Sequence, residues 1–278
     1  MGDAVEVTAP EAEAAAAGSA GRGLLAGRRI LVTGVLTDRS LAYHAAERMQ
    51  QLGAEILLTG FGRSRRITER AAQYLPQPPE VLELDVLAAA DFDALRVALT
   101  ERWGRVDGIL HSIAFAPPEV FATPFFEVPH ESVDVAMRAS VYSLRDLAGA
   151  LLPLLAESPG GASLLALTVM ERALIHSYAW MAVTKAALNS LVKQLAVQLA
   201  PSGARANLLA CGPVRTNAGS VIPGLDELAD DFRRRAPLGW DEHDFSVIAG
   251  PAAFMLSELA CRVTGEMLHV DGGRHVVL

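Results

Sequence analysis

Tyr178 and Lys185 stand seven positions apart in the stretch HSYAWMAVTK, residues 176 to 185. Seven residues are nearly two turns of an α-helix, so both side chains lie on roughly one face. Helical side chains tilt toward the N-terminus, and a long lysine reaches back toward the tyrosine. A phenol and an ammonium brought together are donors to oxygen, suited to an oxygen gaining negative charge or to a set of hydroxyls. Taken alone, the pair also fits a helix-start aromatic with a satisfied hydroxyl beside a solvated surface lysine.

Such a pair needs a scaffold. From Arg28 onward, short apolar runs alternate with longer helical patterns. The runs at 28–34, 54–60, 80–86, 106–114, 161–169, 205–212 and 267–273 read as strands. Helices are expected at 41–53, from about Ser64, at 92–104, across roughly 131–156, and from Tyr178 to about Leu199. Nearly all-apolar strands alternating with helices predict an α/β fold, a doubly wound Rossmann-type parallel sheet in a single domain. Ligands of such sheets sit beyond the carboxyl ends of the strands. The 278 residues are 51% apolar and carry a net charge of −8, which speaks against nucleic acid or an anionic membrane as partner. No apolar run is long enough to cross a membrane, no signal-peptide pattern opens the chain, and Cys211 and Cys261 form no pairing or metal pattern. A cytoplasmic enzyme is the expectation. Residues 1–22 are acidic and alanine-rich with little to bury, and are expected to be a disordered extension ahead of a domain at 23–278.

The first strand-to-helix turn, TGVLTDRSLA, holds a reduced dinucleotide signal. Gly34 permits a turn that other residues resist, Ser40 can present its hydroxyl to a phosphate, and Ala42 lets the helix start approach closely. An ordinary helix cap by Asp38 or Ser40 would read the same way. The second strand ends without the acid that grips adenosine ribose hydroxyls, in LTGFGRSRR. Phe61 there could lie on adenine or ribose. Arg63, Arg65 and Arg66 could welcome a 2′-phosphate or form a solvated helix face. Asp85, closing LELDV, suits the adenine amino group or a helix cap.

These stretches, with VDGILHSIAFAP, SYAWMAVTKAAL, GPVRT, RAPLGW and TGEMLHVDGG, resemble the NADH-dependent enoyl-acyl-carrier-protein reductases of the short-chain reductase superfamily. The actinobacterial branch, which includes the mycolic-acid enzyme, is the nearest likeness, and it runs from about Gly23 to the C-terminus. Two absences support the narrower likeness: Leu165 replaces the serine that hydroxyl-type relatives carry thirteen residues before the tyrosine, and Ala182 replaces their lysine four residues after it. The resemblance implies reduction of the double bond of a trans-2-enoyl thioester, on acyl-carrier protein or coenzyme A, by NADH, with NADPH left open. It makes Tyr178 and Lys185 catalytic, Tyr178 donating to the enolate oxygen and Lys185 holding the nicotinamide-ribose hydroxyls. It places Gly34, Ser40, Leu41, Phe61, Asp85, Val86, Ser112, Ile113, Ala114, Gly212, Pro213, Val214 and Thr216 around the cofactor. Phe115, Val169, Ile175, Tyr178 and Met181 line the substrate pocket. A homotetramer is implied as well.

Two positions depart from the family: Ala114 stands where glycine is usual, and Val169 where an aromatic ring borders the enoyl group. The segment 168–177 lacks its usual polar, proline-bearing character, and residues 217–235 form a shorter substrate-covering segment than in the mycolic-acid enzyme. A shorter acyl tunnel and a paralogue with a shifted substrate follow as expectations. Another same-fold oxidoreductase, acting on a different activated alkene or a carbonyl, and a nucleotide-binding pseudoenzyme are the alternatives.

Overall fold

A computed structural model describes residues 23–169 and 178–277. Seven strands form one parallel sheet in the order β3-β2-β1-β4-β5-β6-β7. They are β1 (Arg29–Val32), β2 (Glu55–Gly60), β3 (Val81–Glu83), β4 (Gly108–His111), β5 (Ser163–Thr168), β6 (Arg205–Cys211) and β7 (Met267–Val270). The order reverses direction at β1 and β4, which pair Ile30 with Gly108 and Val32 with Leu110. A doubly wound sheet opens its ligand crevice at such a point.

Side-chain alternation along each strand feeds two apolar layers. Leu31, Ile109, Leu164 and Leu208 face one layer, packed under α3 (Ala89–Arg102), α5 (Ser143–Ala156) and α6 (Ala179–Leu199). Ile30, Val32, Leu110, Leu165 and Leu209 face the other, under α1 (Leu41–Gln51) and α8 (Ala249–Met255). Here α2 is Gly62–Ala72, α4 is His130–Met137 and α7 is Leu225–Arg235.

Several boundaries differ from expectation, each for a visible reason. The third strand ends at Glu83, since the Asp85 N–H donates to the Asp91 carboxylate and Asp85 Oδ1 accepts from Leu87, which turns the chain out of the sheet. The last strand stops at Val270, where the Asp271 carboxylate takes the N–H groups of Gly273 and His275. The fourth strand ends at His111, short of the expected 114. The single helix expected over 131–156 is broken by a π-helical turn, Arg138–Tyr142, between α4 and α5. Wide turns of this kind recur at functional sites. Here Ser140 Oγ accepts from the Phe115 N–H and donates to the Phe115 carbonyl, which holds the loop after β4.

At the opposite, amino edge of the sheet, Asp107 is buried and fully engaged. Its carboxylate accepts from the Arg29 N–H at 2.8 Å and the Ser158 hydroxyl at 2.7 Å, while Arg28 donates to its carbonyl at 2.6 Å. The expected extension, residues 1–22, lies outside the described residues.

Candidate active site

At the carboxyl edge, Gly34 follows β1 with φ +81°. A Cβ there would sit 2.0 Å from the Ser112 carbonyl oxygen, so the ends of β1 and β4 meet backbone to backbone. Glycine is required twice over, by conformation and by clearance. Beyond it, Ser40 does not cap its own helix. Its Oγ accepts from the N–H groups of Leu36 (3.0 Å) and Thr37 (3.1 Å), curling the loop. With both lone pairs used, the hydroxyl retains only a donor, which suits an anion. Leu41 opens α1 directly after it.

The adenosine side is built from three strand ends. Phe61 is half exposed at the start of α2 and presents an aromatic face. Asp85 is partly buried and spends Oδ1 on Leu87, which leaves Oδ2 free of any described residue, with Val86 beside it. Arg65 is not a free phosphate receptor, because it pairs with Glu69 at 3.0 Å and Glu83 at 3.1 Å. Arg63 and Arg66 are exposed.

After β4 come Ser112, whose N–H donates to Thr33 Oγ1, and Ile113, both partly buried. Ala114 and Phe115 are exposed toward the crevice edge. After β6, Gly212 packs under Phe232 and Trp240, where a Cβ would meet their rings at 2.7 and 2.6 Å. The Pro213 carbonyl accepts from Trp240 Nε1 at 2.7 Å, which holds the loop and leaves that oxygen a second lone pair. Val214 is buried, and Thr216 Oγ1 accepts from the Gly219 N–H. Two bonds lace this loop to the one after β1: Asn217 Nδ2 to Thr37 Oγ1 at 3.1 Å, and Arg39 to the Arg215 carbonyl at 2.7 Å. Nothing in local spacing announces contacts between residues some 180 positions apart.

Tyr178 and Lys185 are both buried, so neither is the surface residue that the bland reading allowed. Lys185 Nζ donates to the Leu167 carbonyl of β5 at 3.0 Å, leaving two donors for a ligand. Burial lowers its pKa from 10.5 to about 8. Burial raises the Tyr178 phenol to about 12, so it stays a proton donor throughout the neutral range. Its ring leans on Phe121, and its hydroxyl donates to no described residue. Tyr178 stands immediately before α6, with Ala179 at φ +44° after it, and Lys185 lies in the second turn of the helix.

His111, at the tip of β4, escaped the sequence reading. Its Nε2 lies 2.9 Å from Ser143 Oγ, and Ser143 in turn donates to the Ala139 carbonyl at 2.7 Å. Ser143 therefore accepts from Nε2–H, and the buried Nδ1 keeps a lone pair with no partner among the described residues. Burial, then the nearby Lys185 cation, lower its pKa to about 3, so this histidine is neutral. Around Tyr178 an apolar cluster of Val120, Val128, Ala136 and Met181 forms, with Val169 and Phe121 packed on it. Ile175 lies outside the described residues.

A family model described as enoyl-(acyl carrier protein) reductase matches residues 34–275. The chain belongs to this family. The chain is 38% identical over 265 residues to the NADH enoyl-[acyl-carrier-protein] reductase of Mycolicibacterium smegmatis, covering 90% of this chain and 97% of that protein. It is 37% identical over 264 residues to the NADH enzyme of Mycobacterium avium, covering 90% and 97%. It is 33% identical over 256 residues to the NADPH enzyme of Staphylococcus aureus, covering 91% and 98%. The expected likeness to actinobacterial enoyl reductases is thus found. Among the described residues no helix is long and apolar enough to cross a membrane, and no cluster of His, Cys, Asp and Glu could hold a metal ion.

Proposed function

We propose that the chain reduces the carbon-carbon double bond of a trans-2-enoyl thioester carried on acyl-carrier protein, using NADH. The observation that carries the reading is the buried Tyr178 hydroxyl without a described partner, set two helical turns from a buried Lys185 at the carboxyl edge of the sheet. The free donor of Ser40, the open Oδ2 of Asp85, the exposed Phe61 ring and the two spare donors of Lys185 fit a dinucleotide laid across the crevice. Bound there, NADH supplies the hydride. Lys185 holds the ribose hydroxyls and so fixes where the hydride is delivered. Tyr178 donates to the thioester carbonyl oxygen as it takes on enolate charge, a bond worth more in a dry site than in water. Neutral His111 adds no second cation beside Lys185.

The test follows NADH oxidation, with NADPH in parallel, by the purified protein and a medium-chain trans-2-enoyl thioester. Turnover supports the reading. Tight NADH binding without reduction of any enoyl thioester would instead favour a same-fold oxidoreductase acting on another activated alkene or a carbonyl. Val169 keeps that second reading open, since it gives the wall near Tyr178 a small side chain. The shifted-substrate proposal rests on the same residue. Val169→Phe is expected to move the kcat/KM profile toward shorter, unbranched acyl chains by about tenfold, the scale of one to a few methylenes in an apolar pocket. An unchanged profile would remove it.

Lys185 makes cofactor affinity depend on pH. Its ammonium is intact below about 8 and is lost above, so NADH binding is expected to weaken as pH rises through that value. In Lys185→Met the binding should be weak and flat. Fluorescence titration of NADH across this range checks both. Stability runs the other way. The unfolded chain holds this proton up to about 10.5, so the burial penalty is complete below pH 8 and shrinks between 8 and 10.5.

A homotetramer and a cytoplasmic setting complete the proposal. Support comes from exposed apolar side chains on α5 and α6, namely Leu152, Val183 and Val197, and from two unpaired cysteines. Light scattering of the purified protein reads the oligomeric state.

A further inference from the structure

The second strand lacks a terminal acid, yet a carboxylate does reach this corner of the crevice. It comes from the neighbouring strand. Glu83, the last residue of β3, lies in register with Gly60 of β2. Its Oε1 accepts from the Gly62 N–H at 2.8 Å, and its Oε2 pairs with Arg65 at 3.1 Å. Gly62 sits at φ +51° with open space where a Cβ would lie, so its conformation, not crowding, calls for glycine. The side chain of Arg65 is held from the other side by Glu69 at 3.0 Å.

We propose that Glu83 sets the preference of this chain for a dinucleotide without a 2′-phosphate, because its carboxylate occupies the Gly62 N–H and Arg65, the two donors at the start of α2 that a phosphate would otherwise use. The inference rests on the dinucleotide reading of the crevice and concerns which dinucleotide enters. Phe61, one residue before Gly62, marks the adenosine end of that crevice by its exposed ring. A dianionic phosphate placed next to it meets a carboxylate already bonded to the local N–H and to the nearest guanidinium. It must displace that carboxylate or share its cation, and both are unfavourable. A plain 2′-hydroxyl meets no such conflict, since it can donate to the same carboxylate. The hydrogen bond from Gly62 and the Arg65 cation hold the Glu83 carboxyl below its usual range, so the charge is present at neutral pH.

The experiment measures Kd for NADH and NADPH by fluorescence titration, without any enoyl substrate, on the wild-type chain and three variants. In Glu83→Gln the NADPH/NADH ratio of Kd is expected to fall by about tenfold or more, as one local negative charge is removed. In Arg65→Gln it is expected to rise, because Glu83 then stands uncompensated. In the double variant, the gain of Glu83→Gln should be largely lost, as the freed arginine is its receiver. A ratio unchanged in Glu83→Gln, or a gain that persists in the double variant, overturns the proposal. Since Glu83 is exposed and Arg65 partly so, circular dichroism serves as the folding control, and Arg65→Gln gives an opposite-sign result should Glu83→Gln misfold. Failure of the wild-type chain to bind either dinucleotide would overturn the underlying reading and this inference with it.

Discussion

Gly34→Ala is expected to lose about 2–4 kcal/mol of stability and with it measurable cofactor binding. Two separate penalties meet at this position. The backbone stands at φ +81°, where a Cβ costs about 1 kcal/mol by conformation alone. The new Cβ would also lie 2.0 Å from the Ser112 carbonyl oxygen, a separation no pair of atoms sustains, and the obstacle is backbone, not a flexible tip. Relief requires the ends of β1 and β4 to part, at the point where the crevice opens. Gly27→Ala supplies the comparison. Gly27 has a similar φ of +76° but nothing within 4 Å of its built Cβ, so only the conformational cost should appear. Urea unfolding of both variants, with NADH titration, checks the difference. Equal losses would mean that the close approach carries no weight.

Tyr178→Phe is expected to lower kcat by about 10²–10³-fold with little change in NADH affinity, the scale for removing one donor to a developing oxyanion. The substitution keeps the ring that leans on Phe121 and the apolar cluster of Val120, Ala136 and Met181. What is lost is a hydroxyl bonded to no described residue, so no hydrogen bond among the described residues is lost and stability should hold or rise slightly. An effect confined to kcat assigns the hydroxyl to the transition state. A rise in KM with kcat unchanged would assign it to ground-state binding and would remove the proposed role. Lys185 variants should differ, because they act on the cofactor first.

Much of the sheet was legible because its strands are short apolar runs that must be buried on both faces. What ended those strands was harder to see. Asp85 was read as an adenine contact or a cap, and it stops β3 through Leu87 and Asp91 while keeping one oxygen free. Tyr178 and Lys185 were singled out from their spacing as sharing a helix face, and the structure buries both while placing Tyr178 just ahead of the helix, with Ala179 at φ +44° between them. Ser40 was read as a phosphate contact or a helix cap, not as the residue that curls its own loop. Glu83 and His111 were missed for one reason. Their meaning lies in contacts with Arg65, Gly62 and Ser143, which no local pattern encodes and which only the order of strands brings within reach. The arginine run 63–66 was ambiguous for the same reason: whether Arg65 is free depends on a carboxylate 18 positions away.

The chemistry and the Asp107 cluster occupy opposite rims of one sheet. Strands of 3 to 7 residues separate them, about 10 Å or more at the usual rise. Perturbations that far apart with no shared neighbours add nearly independently. Directed evolution can therefore treat the two rims as separate modules. Substitutions that reinforce the ring of Arg28, Arg29, Asp107 and Ser158 raise tolerance to mutation without retuning substrate choice, and libraries at Val169 or Glu83 can be built on the reinforced background.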